Sequence, residues 1–453
     1  MQGSERQSQG SKPERTAGLT KGSKPGNVIT GIPAGAGRKL DNMQDEAVRI
    51  GTGPCLVIAG PGSGKTTVIT MRIKYLTQEL KVPPGEILVV TFTRAAAAEM
   101  KERYLKLVGK SATEVSFGTF HSIFYAILRE EDGNDKLDAV DEDASLEVLK
   151  RAAARRKLDI INSDSALRII LSKIACVKSG KDLGSLPEGI GFTELMEAYD
   201  EELMLEGRID FEDMLLRTRE LFKSRKDVLR KWQDRFRYIL VDEFQDINPV
   251  QYEIIRDLAG KRRNVFVVGD EDQSIYGFRG SEPAIMLRFP RDFPEAKLIR
   301  LSNNYRCGGS IVRAAGNVIS YSPERFSKEI AAASGRTGKV TVKRFKSSGE
   351  QYRWTADTVM RLSLEHDLEL SDIAVLVRTH SGARGIVRLL KAQGVYIKLD
   401  GEDAFLPGHT AVMDMFSYLR AAEGTAKRGD LLRIINKPDR GIAREEVRRG
   451  EVP

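Results

Sequence analysis

The sequence predicts an α/β protein: a parallel sheet interrupted by a helical insertion, followed by a second α/β unit. Three observations carry this. Short, wholly apolar runs such as Leu56–Ala59, Ile87–Thr91 and Val265–Val268 each end in polar or glycine-rich residues, as strands buried on both faces do. Between Phe124 and Phe236 the composition turns to Lys, Arg, Glu, Ala and Leu, which reads as helix. Beyond Leu298, strand-like and helical stretches alternate again. With 453 residues, 41% of them hydrophobic, the chain has material for about three domains.

Residues Met1 to Lys39 hold seven basic and two acidic residues with few large apolar side chains, so this segment reads as a disordered basic tail. A short helix follows near Leu40, capped by Asp41 or Asn42. Gln44 carries the donor and acceptor that an adenine edge requires, although alone it reads as a solvated helix residue. The run from Leu56 through Ala59, Gly60, Pro61, Gly62, Ser63, Gly64, Lys65, Thr66 and Thr67 passes from strand through a glycine loop into a helix start. Its backbone N–H groups and helix end can cradle phosphate, with Lys65 on the β/γ-phosphates and the Thr66 hydroxyl on Mg²⁺. Ala59 stands where G-x-x-x-x-G-K-[ST] has its first glycine, and its small size suits a strand end.

Ile87–Thr91 is a second buried strand ending at Phe92, Thr93 and Arg94, where a base could stack and a phosphate bind; taken alone, Phe92 reads as a core aromatic. A third strand-like piece leads to Thr119, Phe120, His121 and Ser122; alone, His121 reads as a structural histidine. Phe211, Met214, Leu215, Leu221 and Phe222 share a helical face. Then Tyr238–Val241 ends in Asp242-Glu243, one carboxylate to hold Mg²⁺ and one to accept a proton from attacking water. The separation 242 − 65 = 177 requires an inserted domain, which the helical stretch supplies. After Val265–Val268, the run Gly269–Gly280 sets polar groups able to sense a γ-phosphate beside Tyr276, Phe278 and Arg279, groups suited to a nucleic acid strand. Leu298–Leu301 leads to Asn304-Tyr305-Arg306, an aromatic and an arginine that could meet adenine and γ-phosphate. Strands at Val340–Phe345, Ile373–Val377 and Val395–Lys398, with helices at Tyr352–Leu364, through Leu389 and over Val412–Ile435, complete the prediction.

Taken together, these stretches resemble the superfamily 1 DNA helicases of the UvrD/Rep/PcrA type from about Leu40 to Ala443. Leu40–Val48 resembles the Q motif, Ala59–Thr66 motif I, Thr91–Met100 motif Ia, Gly118–Ser122 motif Ib, Val241–Asp246 motif II, Gly269–Gly280 motif III and Asn304–Arg306 motif IV. Asp210-Phe211-Glu212-Asp213 falls where that family has an acidic-aromatic helix start. The resemblance implies a RecA-like P-loop motor domain with a helical insertion and an incomplete second RecA-like domain. The corresponding segments are a tail (1–39), the first motor domain (40–124 and 237–297), the insertion (125–236), the partial second motor domain (298–443) and the start of an accessory region (444–453). It implies ATP-driven 3′ to 5′ movement on single-stranded DNA and at duplex junctions, in repair or replication. Catalytic roles fall to Lys65, Thr66, Asp242, Glu243, Gln273 and Arg306, with Gln273 and Arg306 at the γ-phosphate and Tyr305 against adenine. Phe92, Thr93, Thr119, His121, Tyr276, Phe278 and Arg279 would meet DNA. Phe278 replaces the usual tryptophan, keeping a stacking face without the N–H. Motifs V and VI are not present, so the sequence reads as truncated.

Lys plus Arg exceed Asp plus Glu by 72 to 64, a net charge of +8 that permits a polyanionic partner. Three scattered cysteines and no C-x-x-C pattern argue against a disulfide framework or structural zinc. No apolar run is long enough to span a bilayer, so a soluble cytoplasmic protein is expected. Two alternatives remain: an ATP- and DNA-binding remnant without unwinding activity, and a helicase–nuclease subunit, which no carboxylate cluster in the sequence supports.

Overall fold

The computed structural model describes residues 39–132, 138–158, 164–181, 191–333, 335–365, 368–397, 410–438, 440 and 442. The expected tail through residue 38 and the expected accessory start at 444–453 lie outside the described residues. The chain divides into two compact units between Thr341 and Val342.

In the first unit, helix α1 (Asn42–Arg49) begins with a reciprocal capping box: the Asp41 carboxylate accepts from the Gln44 amide, and Gln44 Oε1 accepts from the Asp41 amide. Then come β1 (Cys55–Ala59), α2 (Lys65–Lys74), β2 (Ile87–Thr91), α3 (Arg94–Val108), β3 (Ser116–Thr119) and α4 (Phe120–Asp132). The chain leaves the sheet through β4 (Asp138–Ala139), α5 (Glu142–Arg155), α6 (Asp164–Lys178), α7 (Phe192–Leu205), β5 (Arg208–Ile209), α8 (Phe211–Ser224) and α9 (Lys226–Arg235). It returns with β6 (Tyr238–Val241), α10 (Pro249–Ala259), β7 (Val265–Gly269), α11 (Ala284–Asp292) and β8 (Lys297–Leu301). Six strands pair in parallel in the order β3-β2-β6-β7-β1-β8, so all their C-terminal ends lie along one edge.

Alternation along the strands explains the apolar runs. Leu56, Ile58, Leu88, Val90, Ile239 and Val241 pack on one face, with Phe124, Trp232, Ile254 and Phe289 from the helices. Val57, Ala59, Val89, Leu240 and Phe266 pack on the other, with Val48, Ile69 and Tyr104. A strand sandwiched by helices must be apolar at every position.

Three findings refine these expectations. First, Leu298–Leu301 lies in the first sheet, where β8 pairs along β1 from Cys55↔Lys297 to Ala59↔Leu301. Second, the insertion is smaller than 125–236. Its own core holds Val140, Leu149, Ile174, Leu195 and Leu203, whereas Ile127, Leu215, Phe222 and Trp232 pack on the main sheet. Of the apolar face of α8, Leu215, Leu221 and Phe222 therefore belong to the main-sheet core, Met214 packs with Leu128 and Ile209, and Phe211, 39% exposed, turns away. Third, no strand forms among the described residues of 340–345, 373–377 and 395–397. Val342 (88% exposed), Leu376 (94%) and Tyr396 (90%) stand in the open. A β-branched run becomes a strand only with a ladder partner, and these have none among the described residues.

After β8 the first unit adds β9 (Asn303–Asn304), α12 (Gly309–Ile319) and β10 (Ala331–Ala332), the last pairing with β9. The second unit packs α13 (Ser348–Glu365) on α14 (His380–Ala392) through Ala356, Val359, Ile386 and Leu390. The helical reading of Val412–Ile435 resolves into α15 (Thr410–Ala422) and α16 (Arg428–Ile434), separated at Gly424, whose φ of 71° ends the first of them.

Arg72 fastens α2 to the end of α1. Buried to 3% exposure, its guanidinium donates to Val48 O (3.1 Å), Ile50 O (2.7 Å) and Gly51 O (3.1 Å) and lies 4.6 Å from the Phe266 ring centre. Burial pulls its pKa down to about 10. Replacing it strands three carbonyls, so Arg72→Leu is expected to lower stability by about 3 kcal/mol in urea unfolding. A loss below about 1 kcal/mol would contradict this role.

Candidate nucleotide and nucleic-acid site

The candidate residues gather along the C-terminal edge of the sheet, where open α/β sheets carry ligands. Ala59 is the fully buried last residue of β1, and the loop Gly60–Gly64 crosses from there to α2. Gly62 (φ 68°) and Gly64 (φ 89°) adopt left-handed backbone. Crowding adds a second requirement at Gly62: a Cβ there would lie 2.7 Å from Arg306 Cβ and 2.8 Å from Asn304 Oδ1. Ser63 Oγ closes the loop on Gly60 O at 2.7 Å. Pro61 is exposed at its tip, and half-buried Thr66 and Thr67 occupy the first turn of α2.

Gln44 sits behind the loop rather than on the helix surface, donating to Ser63 O at 2.8 Å and accepting from the Asp41 amide. One N–H and one lone pair of its amide remain for an adenine edge. Tyr305 N donates to Gly62 O at 2.9 Å and its hydroxyl donates to Asp41, so the expected adenine aromatic joins the glycine loop to α1. Asn304 Oδ1 accepts from the amides of Arg306 and Cys307, shaping the turn that sets exposed Arg306 beside Gly62.

The acidic pair meets the lysine. Lys65 Nζ lies 2.9 Å from Glu243 Oε2 and 3.3 Å from Gln273 Oε1, joining residues 178 and 208 positions apart. Glu243 has φ 49° and ψ 47°, a left-handed conformation that is uncommon for a non-glycine residue. Asp242 is buried beside it, and its Oδ1 has no hydrogen-bond partner among the described residues. Burial, then the neighbouring Glu243 carboxylate, push its pKa up to about 7. A buried carboxylate with an unmatched oxygen and a threonine hydroxyl on the adjacent helix start are suitable donors for a hard divalent cation. Two other carboxylate trios, Asp200/Asp210/Asp213 and Asp270/Glu271/Asp272, each already hold a lysine among them, Lys178 and Lys328.

Next to this centre lies a cleft of about 480 Å³ lined by Phe92, His121, Phe211, Tyr276 and Phe278. Phe92 and Tyr276, from different strand ends, stack at 4.7 Å with 29° between planes, and Phe278 follows at 6.1 Å, 62% exposed. Phe92 is therefore not a core aromatic. His121 meets Phe211 edge-on at 5.4 Å, and burial, followed by Arg94, pulls its pKa down to about 4. Thr93 is exposed and caps α3. Thr119 is not brought to the cleft surface: it is 7% exposed and its hydroxyl pairs with Ser122. Arg279 closes a short helical turn, and its side chain lies outside the described ones.

Sequence reasoning missed the connectors. Buried Gln245 donates to Glu243 Oε2 (2.8 Å) and Asp246 Oδ2 (3.3 Å) and accepts from the Asp270 amide (2.9 Å). Asp246 lines the cleft, and burial, then Glu243, push its pKa up to about 6. Both lie within three residues of the acidic pair, a signal that was available. Lys328 and Arg325, which hold residues 270–272, belong to no motif.

A raised carboxylate pKa stabilises the fold below the unfolded value and loses that contribution as pH rises through the folded value. For Asp242 the window runs from about pH 4 to about pH 7. Asp242→Asn is therefore expected to gain stability relative to the parent across that window without divalent cations, followed as the difference in thermal midpoint. A pH-independent difference would contradict the buried charge.

Two family models match. The UvrD/REP helicase N-terminal domain covers residues 40–294 and the UvrD-like helicase C-terminal domain covers 299–450. Among curated relatives, the chain is 34% identical over 424 residues to "ATP-dependent DNA helicase PcrA" of Leuconostoc citreum, covering 90% of this chain and 56% of the relative. The protein of the same name from Bacillus subtilis is 34% identical over 415 residues, covering 89% and 56%. That from Staphylococcus aureus is 34% identical over 423 residues, covering 90% and 57%. The chain thus spans a little over half the length of these relatives. With the N-terminal model alone matching more than half of the residues, the chain belongs to the UvrD/REP helicase family.

Proposed function

We propose that this chain is the motor part of an ATP-dependent DNA helicase that couples ATP hydrolysis to 3′ to 5′ movement on single-stranded DNA in the cytoplasm, serving repair or replication. One observation carries the reading: Lys65 Nζ contacts both Glu243 and Gln273 on the same sheet edge that presents the Phe92–Tyr276 stack. Phosphates and unpaired bases would then bind as neighbours.

In this reading the loop amides and Lys65 hold the β/γ-phosphates, and the Lys65 ammonium exchanges Glu243 and Gln273 for phosphate oxygens. Freed of that ion pair, Glu243 accepts the proton of the attacking water, while the Gln273 amide addresses the γ-phosphate. Thr66 and Asp242 would hold Mg²⁺, which would supply positive charge to offset that of the phosphates. Tyr305 and Gln44 flank adenine, and Arg306 adds positive charge at the phosphates. On the other side, bases stack against Phe92, Tyr276 and Phe278. The path between the two sides is Glu243–Gln245–Asp246, three side chains in hydrogen-bond contact.

Lys65→Ala is expected to abolish DNA-stimulated ATP hydrolysis while leaving the fold intact by circular dichroism; unaltered turnover would defeat the assignment. Turnover with binding but no strand separation would favour the remnant reading instead. Tyr276→Ala should weaken oligothymidylate binding by about tenfold, from one lost stacking contact. The parent's affinity should also fall steeply between about 50 and 200 mM salt as counterions are released. Affinity insensitive to both changes would argue against the cleft as a DNA track.

A further inference from the structure

Residues Arg325 to Ala332 form a strap that touches the 270–272 loop, the glycine loop and the segment before Tyr305. Ile330 packs against the glycine loop, its Cδ1 lying 2.5 Å from where a Gly60 Cβ would be. Ala331 and Ala332 pair with Asn303 and Asn304, just before Tyr305 and Arg306. At its start, the strap grips the loop that carries Gln273. The Lys328 side chain, 4% exposed, places Nζ 2.8 Å from Glu271, 2.7 Å from Asp272 and in contact with Asp270. Arg325 binds Asp272 through two nitrogens, and the Phe326 amide donates to Glu271 at 2.8 Å.

Three consecutive carboxylates with oxygens within 4.8 Å of one another repel unless a cation sits among them. Among the described residues Lys328 is the one cation that reaches all three, since Arg325 pairs with Asp272. This arrangement is directional. Asp270 Oδ2 accepts from Gln273 Nε2, which fixes the amide with its oxygen toward Lys65. A chain of contacts thus runs Lys328–Asp270–Gln273–Lys65, from the strap to the phosphate lysine.

We propose that Lys328 is a positioning residue for Gln273: by holding Asp270 it sets the amide that distinguishes a nucleoside triphosphate from a diphosphate. The proposal rests on the reading of Lys65 and Gln273 as a γ-phosphate site. Lys328 itself touches no substrate. Its loss acts chiefly on the third phosphate, because the glycine loop keeps its own contacts to Gln44, Ser63 and Tyr305.

The test measures binding of fluorescent ADP and of a fluorescent non-hydrolysable ATP analogue to the full chain. Lys328→Met is expected to weaken the ATP analogue by about tenfold and to leave ADP within about twofold, the loss of one charge-assisted contact. Gln273→Ala should lose as much, the double variant no more, and Lys328→Arg should keep the preference for triphosphate. In the nucleotide-free chain, amide exchange over residues 270–276 should rise in Lys328→Met while β1 stays protected. Should Lys328→Met fail to fold, Asp270→Asn breaks the same link with the same expectation. An unchanged triphosphate preference, equal losses for both nucleotides, additive losses in the double variant, or unchanged exchange would each overturn the proposal. Parent protein that binds neither nucleotide defeats the γ-phosphate reading, and with it the claim of triphosphate selection; the exchange result then separately decides whether Lys328 holds the loop.

Discussion

The contact on which the remaining geometry depends is the ion pair between Lys65 and Glu243. It forms because six parallel strands deliver their C-terminal ends to one edge, so residues 178 positions apart in sequence become neighbours at 2.9 Å. Little about it is permissive. Lys65 follows a glycine at φ 89°, Glu243 takes a left-handed backbone, and Asp242 is buried with an unmatched oxygen. Strain and an unsatisfied carboxylate are tolerated where surrounding structure over-determines them, and the apolar cores on both faces of the sheet supply that constraint.

Around this pair the polar groups divide into two sets joined by glutamines. Gln273 links Lys65 to Asp270, and Gln245 links Glu243 to Asp246 and the Asp270 amide. An amide offers a donor and an acceptor from one rigid plane, so a change at one partner is felt by the other. Asp246 faces the aromatic cleft, which places the second glutamine between the acidic pair and the proposed DNA track. The insertion reaches the same region: the Phe278 carbonyl lies 3.4 Å from Ser172 Oγ and Cys176 Sγ of α6, and Lys181 donates to Gly277 O. The loop bearing Tyr276 and Phe278 is therefore held from the nucleotide side and from the insertion.

Much of this was legible in the sequence because it is written in local patterns. Ile87–Thr91 coincides with its strand, and the glycine loop and acidic pair announce themselves by residue type and by the apolar runs preceding them. Less legible were features decided by long-range packing. Leu298–Leu301 looks like any strand, and only its pairing with β1 assigns it to the first sheet. Phe92 was ambiguous until Tyr276, 184 positions away, proved to stack on it. Thr119 has the right chemistry at a strand end, yet its hydroxyl turns back to Ser122. Lys328 carried no signal, since its partners lie 56 to 58 residues earlier and no motif contains it.

The central claim is that a nucleotide site and a single-strand site share one edge of the sheet and are energetically joined. It is tested most directly by titrating the full chain with a non-hydrolysable ATP analogue, with and without saturating oligothymidylate. The account predicts that DNA changes nucleotide affinity, and that nucleotide changes DNA affinity by the same factor, about fivefold or more. Two binding curves that superimpose would contradict it.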